Sequence, residues 1–370
     1  MSGGVDSSVA AALLKRGRFL PAGRQVDVIG VFMKFWKEPG QGENRCCSPE
    51  SEIRARKVAK IIKIPFYVFN FEKEFKKRIV DCFLKEYKKG LTPNPCVVCN
   101  KEIKFGLLLE KALKLDADFI ATGHYAKVKK TKNKKPTVRT QQKTGFKLLK
   151  GKDKNKDQSY FLWQLTQKQL KRVLFPVGDY TRKEVEGLAK KFKLPFGNVK
   201  KSMEICFVPA TINEFLRKHI KEKPGEIVDV QRKIIGRHEG LSFYTIGQRK
   251  GIGLPGGPYY VSGKDLKKNL LIVTKNEKDL HKKELIAKNV NWILGDEPKL
   301  PLKIMAKIRY RHQPAAATIY KIPRTRTSSV RGRQNTKYKI LFSSPQRAIT
   351  PGQSVVFYKG QELVGGGVIC

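Results

Sequence analysis

Apolar residues follow two rhythms along the chain, and the change between them divides it. In the first half, short apolar runs alternate with segments where apolar positions recur every three or four residues. Residues 7–16 start in a Ser-rich stretch and stop at Gly17, which predicts a helix, and VIGVFMKF (28–35) predicts a buried strand. Ile53, Val58, Ile61 and Ile62 mark a second helix, PFYVF (65–69) a strand, Phe75, Ile79, Phe83 and Tyr87 a third helix, and DFIAT (118–122) a further strand. This alternation predicts an α/β domain built on a doubly wound parallel sheet. Helical spacing continues over 160–172 and 181–193. From about Gly225 onward the rhythm changes: EIVDV (226–230), NLLIVT (269–274), KIMAKIRY (303–310), KYKILF (337–342) and QSVVFY (353–358) read as short strands between turns, so β-rich modules follow.

Three stretches lack periodicity: RGRFLPAGRQ (16–25), KKTKNKKPTVRTQQKTG (129–145) and PRTRTSSVRGRQNT (323–336). They read as basic surface loops, with added RNA contact as the alternative. The length of 370 residues exceeds one ordinary core, so two or three domains are expected. No apolar run reaches the ~20 residues of a membrane span, and the start lacks a secretory pattern, which predicts a cytoplasmic protein with no membrane association.

Charge and thiols change the picture most. Lys and Arg number 77 against 32 Asp and Glu, a formal net charge of +45. Such self-repulsion points to a polyanionic partner, nucleic acid foremost, although a generally lysine-rich proteome also produces it. Seven cysteines, at 46, 47, 82, 96, 99, 206 and 370, are scattered and odd in number, arguing for thiol chemistry or metal binding over a disulfide framework.

Three sites carry chemistry. Ser2, Gly3, Gly4, Val5, Asp6, Ser7 and Ser8 form a glycine loop at a helix start, where backbone N–H groups and the helix dipole meet phosphate. Without a Gly-Lys-Ser/Thr ending it is not an ordinary P-loop. TPNPCVVCN (92–100) precedes the helical pattern KEIKFGLLLEKAL (101–113), which sets Cys99 at a helix N-terminus, where the thiolate is favoured. A zinc knuckle competes, but no second ligand pair is present. Cys206, in KSMEICF (201–207), reads as a core thiol or, with Cys99, as half of a pair that carries and releases sulfur.

The loop Ser2–Ser8 resembles that of the ATP-pyrophosphatases, which adenylate a substrate oxygen. With TPNPCVVCNKEIKF, ATGHYA (121–126), KDQSYF (156–161), SMEICF (202–207), HEG (238–240), YTIGQRKGIG (244–253), AKIRYR (306–311) and TPGQ (350–353), the chain resembles the bacterial tRNA-specific 2-thiouridylases over nearly its whole length. The resemblance implies an adenine-nucleotide-hydrolase-like catalytic domain (1–205), a small central domain (206–282) and a C-terminal β-barrel contacting tRNA (283–370). It implies 2-thiolation of the tRNA wobble uridine, with Cys99 as nucleophile, Cys206 as persulfide carrier and a transient disulfide between them. Ser2 to Ser8, Met33 and Gly123 would bind ATP, with Mg²⁺ offsetting its charge. Asn94, Pro95 and Cys96 would meet the target base, and His124, Lys156, Asp157, Gln158, Arg309, Tyr310 and Gln353 the tRNA. A sulfur-relay or desulfurase protein would donate sulfur to a monomeric enzyme.

The loop class normally follows a buried first strand, so an apolar strand encoded upstream of Met1 is expected. Some relatives carry Asp at the position of Cys96, and an iron–sulfur cluster on Cys96, Cys99 and Cys206 is the alternative to the persulfide. Two other functions fit parts of the sequence: an adenylating synthetase acting on a small molecule, and a non-catalytic basic RNA-binding protein.

Overall fold

The computed structural model describes residues 1–17, 26–40, 47–131, 145–196, 205–208, 211–323 and 336–370. Most of the three basic stretches, Cys46 and residues 201–204 lie outside them.

The helix Val5–Lys15 buries a continuous run from Ser8 to Leu14, and the helix Arg182–Lys191 packs against it. Ser48 and Thr181 start the next helices by accepting hydrogen bonds from the N–H groups of Ser51 and Glu184, and the Glu184 side chain returns a bond to Thr181 N, completing a capping box. Strand Gly30–Lys34 pairs in parallel with Phe66–Asn70, and Ile120–Ala121 with Val173–Leu174. The expected parallel pairing is present, as two two-stranded pieces. The N-terminal residues lie between them: the Met1 amino group donates to Val31 O on one piece, and the Asp6–Ser7 backbone abuts Gly123 just beyond the other.

Residues 160–172, expected as one helix, are instead a single 3₁₀ turn (Ser159–Leu162) and a short helix (Gln167–Leu170). Tyr160, Leu162 and Trp163 are buried on successive sides of the chain, and Thr166 opens a fresh capping box, so a single amphipathic stripe never forms. A helix not among the expected elements, Ile212–His219, is started by Thr211, which accepts from Glu214 N, and buries Phe215 and Leu216.

The central sheet orders as Ile234–His238, Gly225–Val228, Leu270–Thr274 and Tyr260–Asp265. Beyond it, the strands His281–Trp292, Tyr338–Arg347, Ala315–Lys321, Leu302–Lys307, Ser354–Lys359 and Glu362–Ile369 close into a six-stranded barrel through the pairing of Ala287 with Ile369. The hairpin Ala126–Lys130/Phe146–Lys150, which flanks the second basic stretch, joins this sheet through Leu148 opposite Leu363. The first part of the chain therefore contributes strands to the last.

Candidate active site

The glycine loop is built for backbone approach. Gly3 has φ +68°, and a Cβ there would lie 2.2 Å from Ser51 O, so no other residue fits. Among the described residues the only neighbour within 4 Å of a Cβ at Gly4 would be Ser2 Oγ at 3.5 Å, and no side chain caps the helix that begins at Val5. The helix start is thus uncapped and approachable, the arrangement that suits a phosphate. Ser7 Oγ and Ser8 Oγ both donate to Gly4 O at 3.0 Å, fixing the turn. Asp6 accepts from Tyr125 OH (2.6 Å) and from Arg182 Nη1 (2.7 Å). Arg182 was not singled out by sequence, because nothing local places it beside Asp6. Met33 is half-buried on the first strand, two residues beyond Val31, whose carbonyl accepts from the Met1 amino group.

The cysteine segment begins its helix earlier than the apolar pattern implies. Asn94 is the N-cap, its side chain accepting from Val97 N (3.4 Å), and Pro95 occupies the first helical position. Cys96 therefore sits in the first turn and is exposed, whereas Cys99 lies a turn further on and is buried. The helix-dipole argument made for Cys99 thus transfers to Cys96, because the effect fades beyond the first turn. The helix runs on over residues 95–113 with a π-helical stretch at Asn100–Leu107. Buried Asn100 donates through Nδ2 to Phe161 O (3.1 Å).

Cys99 belongs to the large apolar cluster formed with Phe75, Phe83 and Phe207, and Cys206 and Cys47 pack against the same cluster. Phe207, next to Cys206, stacks edge-on to Phe75 and Phe83. Cys47 also exchanges contacts with the Phe35 backbone. Among the described residues no three His, Cys, Asp or Glu side chains are grouped to hold a metal ion.

The residues expected at the tRNA are placed unequally. Tyr310 is partly exposed and stacks on Phe161, ring centroids 4.5 Å apart, with Lys307 over its face at 5.6 Å. Lys156 is also partly exposed. Arg309 directs one nitrogen inward, to Ile246 O (3.2 Å), Ala348 O (3.0 Å) and Thr350 Oγ1 (2.7 Å). Asp157 is buried and accepts from Gly151 N, Ser159 N and Ser159 Oγ, and Gln158 accepts from Tyr125 N. His124 is buried against Phe105 and Phe175 and shares a 2.8 Å hydrogen bond with Thr122. Burial, helped by the nearby Lys104 charge, holds its pKa well below the ordinary histidine value, so it is neutral. Gln353 donates to Thr92 O (2.8 Å) and Pro93 O (3.3 Å).

Residues 1–210 match the tRNA methyl transferase HUP domain, 213–275 the tRNA methyl transferase PRC-barrel domain, and 282–369 the aminomethyltransferase β-barrel domain. Among curated proteins, the tRNA-specific 2-thiouridylase MnmA of Halothermothrix orenii is 45% identical over 376 residues, spanning all of this chain and 97% of its own. That of Moorella thermoacetica is 44% identical, over all of this chain and 98% of its own. The Clostridioides difficile protein of the same name is 45% identical over 96% of its length.

Proposed function

The chain belongs to the tRNA-specific 2-thiouridylase family, and from that premise we infer that it uses ATP to convert the wobble uridine of tRNA to 2-thiouridine. The observation that supports the sulfur chemistry is the presence of two thiols in separate motifs, Cys99 within the large apolar cluster and Cys206 packed against it. An adenylating synthetase for small molecules needs neither thiol. Methyl transfer would account for neither the thiols nor the nucleotide loop.

The uracil O2 attacks the α-phosphorus of ATP and pyrophosphate leaves, which turns a poor leaving group into AMP. The uncapped N-terminus of Val5–Lys15 would receive the phosphates, whose charge Mg²⁺ bound with the nucleotide would offset. A persulfide on Cys206, loaded by a donor protein, attacks C2 through its outer sulfur, and AMP departs. The Cys99 thiolate then attacks Cys206 Sγ and breaks the sulfur–sulfur bond. That leaves sulfur on C2 and a Cys99–Cys206 disulfide, which an external dithiol reduces. Tyr310 and Lys307, a ring with a cation above it, suit an unpaired base beside a phosphate. The enzyme acts as a monomer in the cytoplasm.

The test is incubation with ATP, Mg²⁺, a persulfide donor and unmodified tRNA, followed by nucleoside mass spectrometry. Cys99→Ser and Cys206→Ser are expected to abolish 2-thiouridine while leaving tRNA-stimulated ATP–pyrophosphate exchange intact. Thiolation by either variant overturns the sulfur route, and activity that appears only after cluster reconstitution favours the iron–sulfur alternative. Absence of exchange in the wild type would leave a basic RNA-binding protein.

A further inference from the structure

The segment that leads into Asn94, Pro95 and Cys96 is held from outside its own domain, almost entirely by its backbone. Lys264 Nζ, on strand Tyr260–Asp265 of the central sheet, donates to Gly90 O at 3.0 Å. Thr245, also from the central part, meets Thr92 through paired hydroxyls at 3.2 Å. From the barrel, Pro351 O accepts from Thr92 N at 3.0 Å, and Gln353 Nε2 donates to Thr92 O and Pro93 O. Gly352, at φ +92°, lets the two chains touch: a Cβ there would lie 2.9 Å from Thr92 N. All three polar groups of Thr92 are therefore committed, two to the barrel and one to the central part.

We propose that Thr92 is a junction through which the barrel and the central domain set the position of the helix carrying Cys96 and Cys99, with Gln353 and Lys264 as positioning residues. The proposal rests on the thiolation reading for its consequence, and on geometry alone for its existence. Backbone bonds suit this task because they fix the path of the chain whatever the side chains do. The barrel end of the junction is itself braced. Arg309 ties Ala348 O and Thr350 Oγ1 of the barrel turn to Ile246 O, one residue beyond Thr245. At the other end Asn94 hydrogen-bonds Tyr160, whose hydroxyl donates to Ser354 O, the residue after Gln353. A displacement of the barrel turn, as when tRNA engages the adjoining surface at Tyr310, reaches the cysteine helix through these bonds. Gln353 acts by this route through Thr92, whose carbonyl accepts from its Nε2.

Two measurements on Gln353→Ala, Lys264→Met and Thr92→Val test it. The first is the rate at which iodoacetamide alkylates Cys99 in the enzyme alone, read by peptide mass spectrometry with Cys82 as the internal reference. Cys99 is buried, so its labelling depends on local opening, and loss of a hydrogen bond worth ~1–1.5 kcal/mol raises the open population about 5- to 13-fold. The second is the steady-state split: kcat for thiolation falls at least about 5-fold while KM for tRNA stays within about twofold. The three variants break the junction from three sides, and a thermal melt identifies any that fails to fold. Unchanged Cys99 labelling in the folded variants overturns the junction, whether or not the enzyme thiolates tRNA. A raised KM with unchanged kcat in Gln353→Ala makes Gln353 a tRNA contact and overturns its positioning role. Inactive wild type with faster Cys99 labelling in the variants leaves the junction standing and removes the thiolation reading.

Discussion

Replacing Gly123 by alanine drives a methyl group into the backbone of the nucleotide loop. The added Cβ would lie 2.6 Å from both Asp6 C and Ser7 N and 2.9 Å from Asp6 O, where ordinary contact begins at 3.4 Å. Both obstacles are backbone, and Asp6 is anchored by Tyr125 and Arg182, so neither can swing aside as a side-chain tip would. Relief requires the start of helix Val5–Lys15 to recede by roughly 0.8 Å, the shortfall between those distances. Overpacking of this kind costs about 1–3 kcal/mol, and a rigid neighbour places it in the upper part of that range. The same displacement lengthens every N–H contact to a bound phosphate, so ATP affinity should fall at least about tenfold, or ~1.4 kcal/mol. Isothermal titration with ATP and urea unfolding followed by circular dichroism read the two effects. The control is Gly187→Ala, inside helix Arg182–Lys191 with none of the described residues within 4 Å of its Cβ, which should stabilise by about 0.5–1 kcal/mol. Wild-type ATP affinity in the Gly123 variant would refute the placing of this glycine against the loop.

Acidification should destabilise the fold below pH 6.5. His124 stays neutral when folded, because burial holds its pKa well below 6.5, while the unfolded chain takes up a proton there. The unfolded state then binds more protons, so stability falls as pH drops, by up to about 1.4 kcal/mol per unit for each such histidine. His238 and His312 are lowered in the same direction by burial, so His124→Gln should flatten the pH dependence of urea unfolding only in part; an unchanged slope would contradict the burial argument. Asp157→Asn should cost about 2 kcal/mol by setting an amide donor among N–H and O–H donors, with tRNA affinity unaltered; weakened filter binding of tRNA at unchanged stability would return Asp157 to the interface. tRNA binding should weaken on the order of 10³-fold between about 50 and about 200 mM salt if the +45 charge serves it, and a flat salt response would assign the lysines to composition alone.

Local signals carried the parallel α/β part and the strands after Gly225, because burial of one face imposes a period that survives in one dimension. They failed where long-range packing decides. Residues 160–172 break into two turns because Tyr160 and Trp163 both reach Ser354, on a strand far away in sequence, and no local stripe encodes that. The early start of the cysteine helix was legible after all: Asn94 followed by Pro95 is a cap and a first-turn proline, and weighing it above the later apolar run would have placed Cys96, not Cys99, in the first turn.

The residues expected to touch tRNA sort by the same physics. Lys156 and Tyr310 reach the surface in part, whereas the Asp157 carboxylate is held by Gly151 N and Ser159, Gln158 Oε1 accepts from Tyr125 N and Gln353 Nε2 donates to Thr92 O. A motif records that a residue type is required at a position without saying whether it meets the substrate or the chain. Gln353 shows why the two are hard to separate: its amide spans two carbonyls directly before Asn94, so removing it would injure the reaction in either case. Only the direction of the injury differs. A lost contact to tRNA weakens binding, whereas a loosened backbone leaves binding intact and displaces the thiol that must reach the sulfur.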